Sequence, residues 1–265
     1  MRIIILLITA YSLQLTAQSG WWWKNDTGVS YEAETLAYQT RVLADGGEII
    51  NLDAINIAYL DAKTNDYLDS LLAWWSHNFG IKKNANNKVT KLYDLTSNDN
   101  DMVQSDTAWA PTWFADSLFY NADYMDFTAI TTMQSAFWVI TNRIIGASYE
   151  SLLGDEVNYD LLGGGNFGLF LLFDGVASAN ALNGDWYRNG VSVNPLSTSL
   201  SDTPPILLTL IATGNLRVSN FSDERSTADR RWHGSMEELM LGGVRFSDTK
   251  RLAIQSYLNT KYTIY

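Results

Sequence analysis

Carboxylate and imidazole side chains are the groups in this chain whose types could support acid–base chemistry. Retaining glycoside hydrolases place two carboxyl groups about 5 Å apart across the scissile bond. Glu237 and Glu238 are adjacent in a predicted strand, and adjacent strand residues point to opposite faces, so they cannot form such a pair. Four further acids are predicted to lie in a solvated loop, and they are Glu150, Asp155, Glu156 and Asp160. The two histidines, His77 and His233, have no nucleophile motif beside them. The sequence therefore predicts no catalytic residue.

A second group is rich in oxygen ligands. Asp94, Asn98, Asp99, Asn100 and Asp101 fall within eight residues, and carboxylate and amide oxygens are ligands that Ca²⁺ prefers. A calcium site here would use Asp94, Asn98, Asp99 and Asp101. Asp and Asn side chains also hydrogen-bond their own backbone and so stabilise turns. Both interpretations, a calcium site and a self-bonded turn, stay open, and no cofactor is required.

Aromatic side chains form the third group. The chain contains ten Trp, fourteen Tyr and ten Phe residues. Trp and Tyr fill the cores of β-sandwiches, and their faces also stack on apolar surfaces such as those of sugar rings. Trp109, Trp113, Trp186 and Tyr187 are the aromatics that we predict to contact a ligand.

Composition narrows the class of partner. The formal charge is −11 and the pI is about 4.5, so nucleic-acid phosphates and anionic membrane surfaces would be repelled. There is no cysteine, which excludes disulfides and thiolate metal sites. Apolar residues make up 46% of the chain and charged residues 18%, as in ordinary globular proteins.

The first residues suggest a targeting segment. Residues 1–17 combine Arg2, a short apolar run and small residues before Gln18, which is typical of a secretory signal peptide. The run is too short to span a bilayer stably. The alternative is an N-terminal anchor strand, because Ile and Thr favour extended backbone.

Residues 18–87 are predicted to form an aromatic linker and a helical prefix. The linker carries Trp21, Trp22 and Trp23. Ser30 begins a first predicted helix that Gly46 and Gly47 end, and Asn51 caps a second through Ala54–Ala62. A third helix is predicted from Asp66, because Leu68, Leu71, Leu72 and Trp75 have helical spacing.

From Lys88 the pattern changes to short apolar strands separated by turns. Val89–Leu95, Met102–Gln104, Ser117–Asn121, Phe127–Thr132, Ala136–Thr141 and Pro204–Ala212 are predicted strands. Asn189-Gly190 sits between two alternating segments and predicts a tight hairpin over Trp186–Val193. The chain closes with a strand over Met236–Leu241 and a helix from Ser247, in which Ile254, Tyr257, Leu258 and Lys261 face the protein.

Three motifs, in this order, resemble a known family. They are the Lys91–Gln104 run followed by Pro111-Thr112-Trp113, the Tyr187–Val193 hairpin, and His233–Leu239 with the Tyr257–Tyr262 helix end. Together they resemble the LamG-like, concanavalin A-like lectin and glucanase domains of bacterial secreted proteins and phage structural proteins. The resemblance implies an antiparallel two-sheet jelly roll over residues 88–265. The opening loop has Asn98 and Asp99 where the family has glycines.

The resembling family includes both lectins and glucanases, and the lack of a catalytic carboxylate pair in this sequence favours binding over catalysis. The first hypothesis is a carbohydrate-binding module, secreted or displayed at the cell surface, whose partner is a glycan. The alternative is a virion protein that contacts other virion proteins or a receptor and forms oligomers. A glycoside hydrolase is the remaining alternative. Because this type of fold carries many functions, the site has to decide among them.

Overall fold

The helices flank a β-rich body. The computed structural model describes residues 30–142, 150–158, 160–161, 163, 171–172, 175–198, 200, 205–223, 225 and 230–265. The predicted signal peptide and the three consecutive Trp residues lie outside these ranges. Residues 32–265 form one compact unit. The described helices are α1 (Ala33–Ala44), α2 (Leu52–Thr64), α3 (Ala179–Leu182) and α4 (Asp248–Tyr262). None of them is long and apolar enough to cross a membrane.

The first two predicted helices are confirmed, and their ends follow from local chemistry. Asn51 caps α2, because its side-chain oxygen accepts the backbone N–H of Ala54 at 2.9 Å. After α1 the chain reverses at Gly46, whose φ of +73° suits glycine.

The third predicted helix is wrong. Only Leu68–Ser70 forms a short 3₁₀ turn, and Leu71–Ser76 is strand β2. The side chains of β2 pack into cores on both faces of the sheet, so the segment is almost continuously apolar. Helical spacing arises by chance in such a run, and periodicity alone does not separate the two structures.

Besides β2, the structure describes twelve strands. They are β1 (Glu48–Ile49), β3 (Gly80–Lys83), β4 (Val89–Leu92), β5 (Met102–Val103), β6 (Thr112–Phe114), β7 (Ser117–Asn121), β8 (Met125–Asn142), β9 (Leu153–Gly154), β10 (Asp185–Arg188), β11 (Val191–Val193), β12 (Ile206–Phe221) and β13 (His233–Gly242). Every ladder between these strands is antiparallel. The predicted mainly β, antiparallel fold with helices at both ends is confirmed.

The described strands join in one strongly curled sheet. Its two halves are connected by two long strands, β8 and β12, which run through both of them. The second half of β8 lies between β12 and β13, and β13 pairs on its other edge with β2 and β7. The first half of β8 instead pairs with β5 and with the end of β12. Register shifts between Ile211 and Leu216 mark where β12 passes from one half to the other. Strands β2 and β3 belong to this sheet although they precede residue 88.

Two apolar cores lie on the two faces of the sheet. The inner core includes Trp75, Trp138, Trp186 and Leu239, and the curled halves enclose it. The outer core includes Trp74, Phe137 and Met240, which pack against Tyr38 of α1 and Leu258 of α4. Helices α1, α2 and α4 therefore cover the outer face of the sheet, whereas Ala181 of α3 packs into the inner core.

The predicted hairpin at Asn189-Gly190 and the predicted helix start at Ser247 are confirmed. Asn189 and Gly190 have φ values of +51° and +77°, and they join β10 to β11 in a tight hairpin. Ser247 caps α4 by accepting the backbone N–H of Lys250. Phe127–Thr132 and Ala136–Thr141, predicted as two strands, form the single strand β8.

Candidate functional site

A cleft of about 540 Å³ opens between the two N-terminal helices and the loop that follows β4. Its volume lies in the range of small-molecule sites, about 300–1,000 Å³. Helix α1 supplies one wall, the 3₁₀ turn and the start of β2 supply the floor, and the loop supplies the other wall. The lining residues are Glu34, Ala37, Tyr38, Arg41, Tyr59, Leu68, Asp69, Leu71, Leu72, Leu95, Thr96, Ser97, Asn98 and Asp99.

Two tyrosines attach the helices to the loop. Tyr38 of α1 donates its hydroxyl to the carbonyl of Tyr93 at 3.0 Å and accepts the backbone N–H of Gly80 at 3.0 Å. Tyr59 of α2 donates to the carbonyl of Leu95 at 2.5 Å. Both side chains are buried, so the cleft has walls that are fixed before any ligand arrives.

The loop is organised around the carboxylate of Asp94, which is fully buried. It accepts four hydrogen bonds, from the backbone N–H groups of Trp74 (2.8 Å), Thr96 (2.9 Å) and Asn100 (3.0 Å) and from the Thr96 hydroxyl (2.7 Å). Burial raises the pKa of Asp94 to about 6, although these hydrogen bonds oppose the rise. The carboxylate thus holds the shape of one cleft wall.

The residues predicted as calcium ligands are engaged within this loop. The Asn98 amide donates to the carbonyls of Leu71 and Leu72 at 3.0 and 3.2 Å. Asp101 accepts the backbone N–H of Asp94 at 2.8 Å, and Asp99 and Asp101 each pair with Arg41 at 3.0 Å. Among the described residues, no group of three or more His, Cys, Asp or Glu side chains is placed to hold a metal ion. The contacts match the self-bonded turn interpretation.

Two of the predicted ligand-contacting aromatics lie on opposite faces of the sheet. Trp186 is only 4% exposed and stacks on Trp138 in the inner core, with ring centroids 6.1 Å apart and an interplanar angle of 6°. Its indole N–H donates to the carbonyl of Ala181 at 2.9 Å. Tyr187 lies at the edge of the outer core, where the guanidinium carbon of Arg251 sits 4.1 Å from its ring centroid.

The other two predicted aromatics have different partners. Trp109 is 41% exposed, and the guanidinium of Arg231 lies over its ring at 4.6 Å and over that of Tyr124 at 4.1 Å. Trp113 is partly buried and donates its indole N–H to the carbonyl of His77 at 3.0 Å. The four predicted aromatics therefore do not form one platform, and none of them lines the cleft.

The predicted solvated acidic loop needs a partial correction. Glu150 and Asp155 are 7% and 1% exposed. Both carboxylate oxygens of Asp155 accept Nε–H of Arg217 at 3.0 Å. Burial raises the pKa of Asp155, but hydrogen bonds from the backbone of Asn158 and Val157 lower it by a larger amount. The net direction is down. Glu156 alone matches the prediction of an exposed side chain at this point.

A buried polar cluster under α4 was missed from the sequence. Glu238 accepts the indole N–H of Trp74 at 2.6 Å, Nζ–H of Lys261 at 2.5 Å and the hydroxyl of Tyr262 at 2.7 Å. Burial lowers the pKa of Lys261, although the Glu238 carboxylate opposes this. The available signal was Lys261 itself, a charged residue on the otherwise apolar stripe of α4. The cluster attaches α4 to the sheet.

Comparisons with known proteins give a distant structural likeness alone. No protein-family model and no curated protein matches the chain. A Trypanosoma rangeli sialidase in complex with 2,3-difluorosialic acid is similar at a TM-score of 0.41 and 13% identity, over 79% of this chain and 39% of the sialidase chain. The same sialidase in complex with sialic acid is similar at a TM-score of 0.41 and 11% identity, over 73% and 33%. The chain spans well under half the length of these sialidases, and a likeness of this size identifies no activity.

Proposed function

We propose that this chain is a non-catalytic carbohydrate-binding module of a secreted or surface-displayed protein, and that the cleft between α1, α2 and the Asp94–Asp101 loop is its glycan site. The observation that carries the proposal is the lining of the cleft. Hydroxyl, amide and carboxylate groups line it beside the aromatic side chains of Tyr38 and Tyr59. Polar groups that fix orientation beside apolar surface are what sugar recognition requires.

The proposed fold assignment is a LamG-like, concanavalin A-like jelly roll. It is supported by the curled antiparallel sheet, whose two halves enclose the inner core, and by the Asn189-Gly190 hairpin and the closing strand and helix. In this assignment the helices α1 and α2 add a cleft to the jelly roll at its rim.

A binding role also agrees with the state of the acids near the cleft. A general acid for glycoside hydrolysis needs a raised pKa. Burial raises the pKa of Glu34, but the hydrogen bond and charge of the Lys63 ammonium group and a backbone hydrogen bond together lower it by more, so the net direction is down. Asp94 has a raised pKa, but its carboxylate is completely buried beneath the loop and is out of reach of a substrate.

The test is a glycan array followed by titration calorimetry of each glycan that binds. A cleft-blocking variant, Ser97→Trp, places an indole at an exposed lining position, and Ser105→Trp places the same side chain at an exposed position outside the lining. We expect micromolar to millimolar binding that Ser97→Trp abolishes and Ser105→Trp preserves. Failure of every glycan to bind, or equal binding by both variants, would overturn the proposal.

A further inference from the structure

The charges around the cleft are unequal. Three of its lining residues, Glu34, Asp69 and Asp99, are acidic, and one, Arg41, is basic. The chain as a whole carries a formal charge of −11. A charged ligand therefore meets a local excess of carboxylates within a negative protein field.

Arg41, the one basic side chain among the described lining residues, already pairs with groups of the protein. Nη1 of Arg41 lies 3.0 Å from carboxylate oxygens of both Asp99 and Asp101, and Nη2 donates to the backbone carbonyl of Asp94. The rings of Tyr38 and Tyr93 have their centroids 5.4 and 5.8 Å from the guanidinium carbon. A carboxylate on a ligand could reach this guanidinium only by displacing a carboxylate of the protein.

The groups that remain open to a ligand accept hydrogen bonds. The side chain of Asp69 is exposed and forms no ion pair with a described residue. The amide nitrogen of Asn98 is used by backbone carbonyls, whereas its side-chain oxygen accepts no hydrogen bond within the described part of the chain. The Ser97 hydroxyl is exposed and can donate or accept. The lining is therefore suited to a ligand that supplies hydrogen-bond donors.

We infer that the cleft takes sugars bearing hydroxyl or amino groups and rejects sugars bearing a carboxylate. This inference rests on the proposed function and adds the chemical class of the ligand. Sugar hydroxyls and ammonium groups donate to Asp69 and to the Asn98 oxygen. A uronate or a sialic acid would instead place a second unpaired charge beside Asp69, where the interaction is repulsive.

The experiment compares three forms of one oligosaccharide. The starting glycan is a neutral one that the array identifies, and its two derivatives carry a carboxylate at C6 or an amine at C2. We expect the carboxylate to weaken binding about tenfold or more at low salt and the amine to bind at least as tightly as the neutral form. About 0.5 M NaCl should shrink both differences, because it screens exposed charges.

A charge-reversal pair places the effect in the cleft. Asp69→Lys should reduce the discrimination against the carboxylate form at least threefold. Asp116→Lys makes the same change in net charge at an exposed turn residue outside the lining, and it should leave the discrimination nearly unchanged. Equal effects of the two variants would assign the discrimination to the whole-protein field and overturn the inference.

The two proposals fail in different ways. If no neutral, amino or acidic glycan binds, the proposed function falls, and the inference about the ligand class falls with it. If glycans bind, and the carboxylate form binds as tightly as the neutral form or more tightly, the function stands and the inference is overturned.

Discussion

Asp94 and Glu238 are both buried carboxylates, 0% and 1% exposed, and they are held in opposite ways. Asp94 is surrounded by neutral donors, and all but one of them come from its own loop. Glu238 is held by the ammonium group of Lys261 and by two aromatic side chains from other elements. Trp74 joins the two sites, since its backbone N–H donates to Asp94 and its indole N–H donates to Glu238.

The difference shows that Asp94 stabilises one loop, whereas Glu238 stabilises the packing of a helix on the sheet. The bonds to Asp94 shape a cleft wall, and loss of that carboxylate leaves several backbone donors without an acceptor. The bonds to Glu238 hold α4 on the sheet, and loss of its cation leaves a charge in a low-dielectric interior. The second loss is the more expensive, because desolvating an unpaired ion costs more than desolvating an amide.

The largest expected effect is that of Lys261→Met. It leaves the Glu238 carboxylate buried without its cation, so we expect the free energy of unfolding to fall by about 3–5 kcal/mol. Adding Glu238→Gln removes the unpaired charge and keeps an oxygen for the Trp74 indole, so the double variant should recover at least half of the loss. Urea denaturation followed by circular dichroism measures both. A single variant as stable as the wild type would refute this account of α4.

Asp94→Ala should have the next largest effect. It removes one acceptor from the backbone of Trp74, Thr96 and Asn100, and we expect a loss of about 2–3 kcal/mol together with weaker glycan binding. Asp99→Asn is the control, because the side chain is exposed, Asn tolerates the φ of +55° at this position, and surface ion pairs contribute at most about 1 kcal/mol. Equal losses of stability in the two variants would show that the buried carboxylate does not organise the loop.

Thr96→Val removes a single neutral donor while it keeps the shape of the side chain. The Thr96 hydroxyl donates to Asp94 at 2.7 Å, and one such bond contributes about 1 kcal/mol. Ser97→Ala, at the exposed neighbour, should change the stability by much less. Thermal melts of the two variants measure the difference, and a Thr96→Val melting temperature above that of Ser97→Ala would contradict the prediction.

The smallest effect is a dependence on pH. The folded-state pKa of Asp94, about 6, lies above the ordinary value of 3.8 for an aspartate, so between these values the folded state binds more protons than the unfolded state. Stability from this group therefore falls as the pH rises through that window. Acidification from about pH 7 to pH 5 should stabilise the wild type by about 1 kcal/mol relative to Asp94→Asn, which cannot titrate. A difference of the opposite sign in urea titrations at the two pH values would reject the raised pKa.

The sequence predicted the features that neighbouring residues determine. Asn189-Gly190 gave the hairpin because few residues other than Asn and Gly accept positive φ, and Asn51 and Ser247 gave helix starts because their side chains reach the next turn. The oxygen-rich loop was also located, although its sequence left the calcium site and the self-bonded turn open.

Features set by distant residues were not predictable in this way. Leu71–Ser76 became a strand because Glu238–Leu241 pairs with it, more than 160 residues later. The hydrogen bond from Trp74 to Glu238 spans 164 positions, and the residues next to Glu238 in the sequence do not predict that partner. The cleft likewise requires α1 to lie beside the loop, a contact that the hydroxyl of Tyr38 establishes across 55 positions.

The sharing of β8 and β12 between both halves of the sheet has a consequence for hydrogen exchange. Opening of either half would break ladder bonds in the same two strands, so we expect the two halves to open together. The amide protons of Ala136–Ile140 and Ile206–Leu210 should therefore exchange with deuterium only when the whole domain unfolds. Their exchange rates would report the global stability, whereas the amide protons of the exposed residues Ser97 and Asp99 would exchange through local fluctuations.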